Sequence, residues 1–278
     1  MKTRSLAQLK RNNMNIRAIS IYIGYLLLVE GAFMLAALGV AAIYQEQASL
    51  VAFLMTIGVL LFLGLLLTRL RRGPGRVYAR EGFVTVALGW VLISFFGGLP
   101  FYISGYIPNL LDAWFESVSG FTTTGASILK DVEALSQSML YWRSFTHWLG
   151  GMGVLVFMLA VVPLSKGSGE TFHLLRAESP GPSVDKLAPT LRNSAQMFYA
   201  ILIVLTLIQV LLLVLCGMPC FDSLLNTFAT AGTGGFAIKN ASIAAYPSPY
   251  LQLVIAVFMA LFGVNFAVYH MILAGQGR

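Results

Sequence analysis

Charge is what this sequence has least of. Asp, Glu, Lys and Arg make up 10% of its 278 residues, against about 25% in average soluble proteins. Hydrophobic residues reach 58%. A soluble domain of this size could not hide that much apolar surface, so an ordinary water-soluble enzyme and a disordered chain are both excluded. Cysteine is scarce too, at two residues. That excludes a disulfide scaffold and sets no redox compartment. No short apolar core is followed by a small-residue cleavage site, so no cleavable leader is evident. No Gly-rich loop follows a strand pattern, so nothing in the chain reads as a nucleotide site. Strict apolar/polar alternation, the mark of a membrane barrel, is also missing.

What is there is a series of long uncharged runs, rich in Leu. Residues 47–68, 82–111, 144–165, 193–221 and 240–277 contain no Asp, Glu, Lys or Arg, and Glu30 alone interrupts 18–45. A helix crossing the hydrocarbon core needs about 20 mostly apolar residues. These runs predict six spanning helices near 18–43, 48–68, 82–105, 143–163, 195–217 and 249–273. The expected fold is therefore an all-α, polytopic membrane protein.

The net charge of +7 has a sidedness. All but three of the 18 Lys and Arg residues fall in the amino-terminal segment, the 69–80 connection, the 164–194 connection or the last position. The three exceptions are Lys130, Arg143 and Lys239. Cytoplasmic loops collect basic residues, so both termini are expected in the cytoplasm, with Lys130 and Lys239 outside and Arg72 and Lys186 inside. The same distribution explains the high pI by membrane sidedness rather than by a nucleic-acid-binding face.

Two connections, 108–142 and 218–248, are too long and too apolar for simple turns. Each opens with a short helical pattern, at 110–121 and 220–231. Each then becomes a Gly/Thr run, FTTTGAS (121–127) and ATAGTGGFA (229–237). Such segments predict re-entrant loops, because irregular backbone at membrane depth must be buried in protein or line a water-filled path. Sliding the sequence by 110 residues sets Asp112 on Asp222, Thr123 on Thr233, Gly125 on Gly235, Ile128 on Ile238 and Gly153 on Gly263. A shift of 107 instead sets Phe121 on Phe228 and Gly125 on Gly232. The first shift is preferred because it also aligns the downstream glycines. The second loop is thereby uncertain by three residues.

The organisation read from these patterns is a cytoplasmic segment with a two-helix hairpin (1–75), a first helix–pore loop–helix repeat (76–165), a cytoplasmic connection (166–194) and a second repeat (195–278). A Gly/Thr loop can present successive backbone carbonyls that replace the hydration shell of a monovalent cation. A preceding helix whose carboxyl end faces the path adds partial negative charge.

The motifs ESVSGFTTTGAS (116–127), HWLGGMGVLVFMLAVVPL (147–164), RAESPGPSVDKLAPTLR (176–192) and FATAGTGGFA (228–237), in that order, resemble the Trk/Ktr/HKT potassium transporter superfamily. The 176–192 linker and the extra helix pair resemble its Trk branch. The resemblance implies potassium transport, with K⁺ as the transported ion, no cofactor and no enzymatic activity. By position it implies Gly125 and Gly235 as filter glycines, with Thr123, Thr124, Thr233 and Gly234 supplying ion-facing carbonyls. It places the protein in a bacterial cytoplasmic (inner) membrane. The expected partners are the lipid bilayer, a second copy of the chain and, by the resemblance, a cytoplasmic nucleotide-binding regulatory subunit. Family members carry four repeats around one pore and this chain carries two. The expectation is the first half of a longer protein, or else two copies completing the pore.

Other residues carry plainer expectations. Glu116 is expected to support the first loop from behind, Asp112 and Asp222 to cap their helices, and Arg143 to anchor an outer helix end. Glu30, inside the first span, is expected to be satisfied by a partner or protonated. Two competing functions follow from the residues alone. One is an intramembrane serine protease using Ser119 and His147; the other is a non-conducting membrane scaffold.

Overall fold

The computed structural model describes residues 14–69, 79–151, 153, 191–265 and 268–269. Among them there is helix and no strand. The α-helices are α1 (Ile16–Ile43), α2 (Gln47–Arg69), α3 (Ala79–Ile103), α4 (Leu110–Phe121), α5 (Gln137–Gly151), α6 (Leu191–Leu215), α7 (Cys220–Ala231) and α8 (Pro249–Gly263), with one 3-10 turn at Ser242–Ala245.

Among the described residues four helices, α1, α2, α3 and α6, are long and apolar enough to cross a membrane. They match the expected spans near 18–43, 48–68, 82–105 and 195–217. The protein is thus an all-helical, multi-span membrane protein. Lipid offers no hydrogen bonds, so a helix that closes its own is the favoured form for such runs. Three buried hydroxyls follow the same rule: Thr56, Thr85 and Thr206 donate to the carbonyls of Ala52, Glu81 and Leu202, one turn back. Large side chains point outward along these helices, Phe62 at 67% and Leu207 at 63% exposure, as a lipid-facing surface requires.

The fourth expected span, 143–163, begins within α5, but 154–163 lie outside the described residues, as do Arg72, Lys186 and most of the 166–194 connection. The sixth expected span, 249–273, begins with α8; residues 268–269 are helical again, and 266–267 and 270–273 lie outside the described residues. Helix α8 has 15 residues and ends at Gly263, where Val264 takes an extended conformation.

Helices α1 and α2 form a tight hairpin. Gly24 faces Gly64 so closely that a Cβ on Gly64 would lie 2.7 Å from Leu28, the small-residue contact by which membrane helices approach. The hairpin is pinned to the rest at both ends. The Asn15 N–H donates to Glu81 at 3.2 Å. At the α1–α2 turn, the Glu46 carboxylate accepts from the backbone N–H groups of Gln137 (2.7 Å) and Ser138 (3.1 Å) and from the Ser138 hydroxyl. A carboxylate there satisfies free N–H groups at the start of α5 and opposes the helix dipole.

An aromatic core lies behind the two short helices. Phe121 of α4 and Phe53 of α2 meet Trp142 edge-on, and Phe228 of α7 packs against Phe145, Tyr141 and Trp148 of α5. The buried Trp142 indole donates to the Gly97 carbonyl of α3 at 2.9 Å. Helix α5 is therefore the wall on which both short helices rest.

Candidate ion-conduction site

Helices α4 and α7 are each 12 residues long, and their bounds differ by 110 at both ends. Both are amphipathic, with one face buried on α5. Asn109 caps α4, its side chain accepting from Leu111 N–H at 2.9 Å. The expected cap, Asp112, lies inside the first turn instead. Pro219 precedes α7 at the cap position and supplies no side-chain cap, and Asp222 accepts from the Tyr246 hydroxyl at 2.7 Å.

The two following loops repeat one backbone signature. Thr123 and Thr233 both have φ of 54°, and Gly125 and Gly235 have φ of 75° and 79°. A positive φ is uncommon for a non-glycine residue and strained for a β-branched one, at roughly 1–3 kcal/mol each. Two threonines in this state, each two residues before a positive-φ glycine, mark equivalent turns. Gly232, the partner of Gly125 under the 107 shift, has φ of −73° and closes α7. Its lack of a side chain serves packing, since a Cβ there would lie 2.3 Å from the His147 carbonyl oxygen. On α5, a Cβ on Gly150 would lie 2.1 Å from the Phe121 carbonyl oxygen. The short helices thus end directly against the α5 backbone.

The loops also meet each other. A Cβ on Gly125 would fall 1.9 Å from the Gly234 carbonyl oxygen, so the two backbones touch at that point. Thr124, Thr233 and Gly235 are exposed, while Thr123, Gly125 and Gly234 are half-buried. All six expected residues therefore sit in two adjoining loops, and none of them is fully buried.

A buried ion pair holds the loops from behind. Arg143 Nε lies 2.6 Å from Glu116 Oε1, and both side chains are buried. Glu116 also accepts from the Ser127 hydroxyl and from Ile128 N–H at 2.9 Å. The guanidinium donates to the Ala237 carbonyl at 2.8 Å and stacks 3.6 Å from the Phe236 ring centre. Glu116 has the supporting position expected of it. Arg143 does not sit at an exposed helix end; it joins the first loop to the second. Sequence reasoning missed this role, although an arginine and a histidine four apart at the start of an apolar run was the available signal. Farther out, Asn240 bonds Asp131 and Val132, and Glu133 accepts from Asn240 N–H and Lys239.

His147 is fully buried, its ring stacked on Phe236 at 4.0 Å. Neither its nitrogens nor the Ser119 hydroxyl has a side-chain partner among the described residues. The Ser–His pair that hydrolysis would require is not formed.

The profile of the cation transport protein family TrkH matches residues 49–277. The chain belongs to this family. It is 37% identical over 267 residues to the Trk system potassium uptake protein TrkH of Salmonella typhimurium, covering 95% of this chain and 54% of that one. It is 30% identical to the Trk system potassium uptake protein TrkG of Escherichia coli, with the same coverage. Its structure resembles the crystal structure of the potassium transporter TrkH from Vibrio parahaemolyticus, with a TM-score of 0.78, 32% identity and coverage of 95% and 53%. The chain spans about half the length of the relatives it matches.

Proposed function

We propose that this TrkH-family chain contributes two filter segments to a potassium-uptake pathway. The observation that carries the proposal is the repeated backbone signature, Thr123/Gly125 and Thr233/Gly235, in two loops that touch at Gly125 and Gly234. Carbonyls of Thr123, Thr124, Thr233 and Gly234 replace part of the hydration shell of K⁺. Gly125 and Gly235 hold the backbone that aims those carbonyls. The ends of α4 and α7 lend partial negative charge. Glu116 neutralises Arg143, so the charge bracing the loops does not repel the permeating cation. Two segments line part of a ring, and its other members come from beyond this chain.

In this reading 76–165 and 195–278 are helix–re-entrant loop–helix repeats, joined by a cytoplasmic connection at 166–194 and preceded by the hairpin of 1–75. The distribution of Lys and Arg supports termini in the cytoplasm and filter loops facing out. A bacterial inner membrane, a homodimer and a nucleotide-binding regulatory subunit rest on the family alone. No catalytic step is assigned.

The test is uptake of radiolabelled rubidium under Na⁺ competition, in a potassium-uptake-deficient bacterium producing the whole protein that carries this chain. Gly125→Ser at normal membrane abundance is expected to lose K⁺ over Na⁺ preference. Unchanged affinity and preference would refute the filter assignment.

A further inference from the structure

The fully buried His147 ring touches the second loop twice. It stacks on the Phe236 ring, with centres 4.0 Å apart and planes 23° apart. It also occupies the space that a side chain at residue 234 would need. A Cβ on Gly234 would lie 2.5 Å from His147 Cε1 and Nε2 and 2.8 Å from Nδ1.

Backbone conformation does not demand glycine at 234. Gly234 is not among the positive-φ glycines, and the first loop carries Thr124 at the matching position under the 110 shift. That loop also has Ala126 where the second has Phe236. The missing side chain at 234 therefore makes room for the imidazole, and the first loop has neither the glycine nor the aromatic ring at the matching positions.

Arg143, one turn earlier on α5, lies 3.6 Å from the centre of the same Phe236 ring and donates to the Ala237 carbonyl. It holds the loop at 236 and 237, whereas His147 reaches back to 234. Gly234 in turn meets the first loop, because its carbonyl oxygen is the atom that a Cβ on Gly125 would strike. Gly234 is thus in contact with both the His147 ring and the other loop. In a close-packed interior a displacement at one such contact is passed to the next.

We propose that His147 is a positioning residue for ion selection, its ring setting where the Gly234 carbonyl stands. The inference rests on the filter reading above. The ring acts by its shape, and no proton transfer is involved. Selection by a carbonyl filter depends on the number and placement of its oxygens. Removing the ring leaves a cavity into which Gly234 can retreat. A methyl group on residue 234 pushes the loop the opposite way, against the ring. The two changes offset each other in volume.

The experiment is rubidium uptake under Na⁺ competition by the whole protein that carries this chain, normalised to membrane abundance. His147→Ala and Gly234→Ala are each expected to lose K⁺ over Na⁺ preference. The double variant should regain part of the preference that Gly234→Ala loses. His147→Asn, a flat group shorter than imidazole, should fall between the parent and His147→Ala. If His147→Ala does not accumulate, His147→Asn and the double variant are read in its place. If those also fail, Gly234→Ala decides alone. Parental preference in any single variant, or a double variant at least as unselective as Gly234→Ala, would overturn the proposal. Gly125→Ser run alongside separates the two readings. If it keeps its preference, the filter reading falls; if it loses preference while His147→Ala does not, the positioning role alone falls.

Discussion

Glu116 receives the Arg143 guanidinium at 2.6 Å and the Ile128 N–H at 2.9 Å, while Arg143 reaches on to the Ala237 carbonyl. One buried ion pair therefore registers both loops against α5. Breaking a buried pair from one side leaves an uncompensated charge, at about 3–5 kcal/mol. Glu116→Gln should lower the thermal midpoint of the purified protein and depress rubidium uptake, since an unpaired Arg143 then sits behind the loops. The double variant Glu116→Gln with Arg143→Met should regain much of the stability but not the K⁺ preference. A stable single variant with normal selectivity would show that the pair is not needed.

Substitutions at the three glycines should separate two effects. Gly125→Ala meets both a positive φ and the Gly234 carbonyl oxygen, so it should be the most damaging to selectivity. Gly235 has a positive φ but open space around it. Gly235→Asn should therefore be tolerated better than Gly235→Val, because Asn enters the left-handed region more readily. Gly232→Ala should cost stability and abundance first, because its Cβ meets the α5 backbone. Competition uptake beside membrane abundance distinguishes the three patterns.

Glu46→Ala removes the carboxylate at the start of α5 and leaves the N–H groups of Gln137 and Ser138 without that acceptor. Hydrogen bonds to a charged group contribute about 1.5–3 kcal/mol. The expected result is a lower thermal midpoint, with Glu46→Asp intermediate and Glu46→Gln retaining one acceptor but no charge. An unchanged midpoint in the Ala variant would remove this contact from the account.

Tyr246 lies in the connection before α8. Burial first, then its hydrogen bond to Asp222, raises its phenol above the ordinary value near 10. A raised acid contributes stability that is present below the unfolded value and is lost as pH rises through the folded one. Stability should therefore fall on the alkaline side, beginning above about pH 10. Tyr246→Phe should start slightly less stable and show a shallower alkaline decline. Thermal midpoints measured from neutral to strongly alkaline pH check this, and identical slopes would exclude the Asp222 contact as the source.

The sequence by itself determined the class and much of the helix map. Long uncharged runs can only become helices in lipid, so α1, α2, α3 and α6 were legible, and so were the short helices at 110–121 and 220–231. The family was legible as well, because its motifs are local strings. Tertiary structure decided what depends on residues far apart in the chain. Both the 110 and the 107 shift satisfy residue identity, and only the backbone separates Gly235, with a positive φ, from Gly232, packed on His147. Asn109 rather than Asp112 caps α4, a matter of where the chain turns. Arg143 looked like an outer anchor because it begins an apolar run; its partner Glu116 lies 27 residues away. Ser119 and His147 make a plausible pair on paper, but the Ser119 hydroxyl and the His147 ring form no hydrogen bond with each other. Periodicity and composition report how one segment meets its solvent. Which two segments meet each other is set by packing, and no local pattern encodes it.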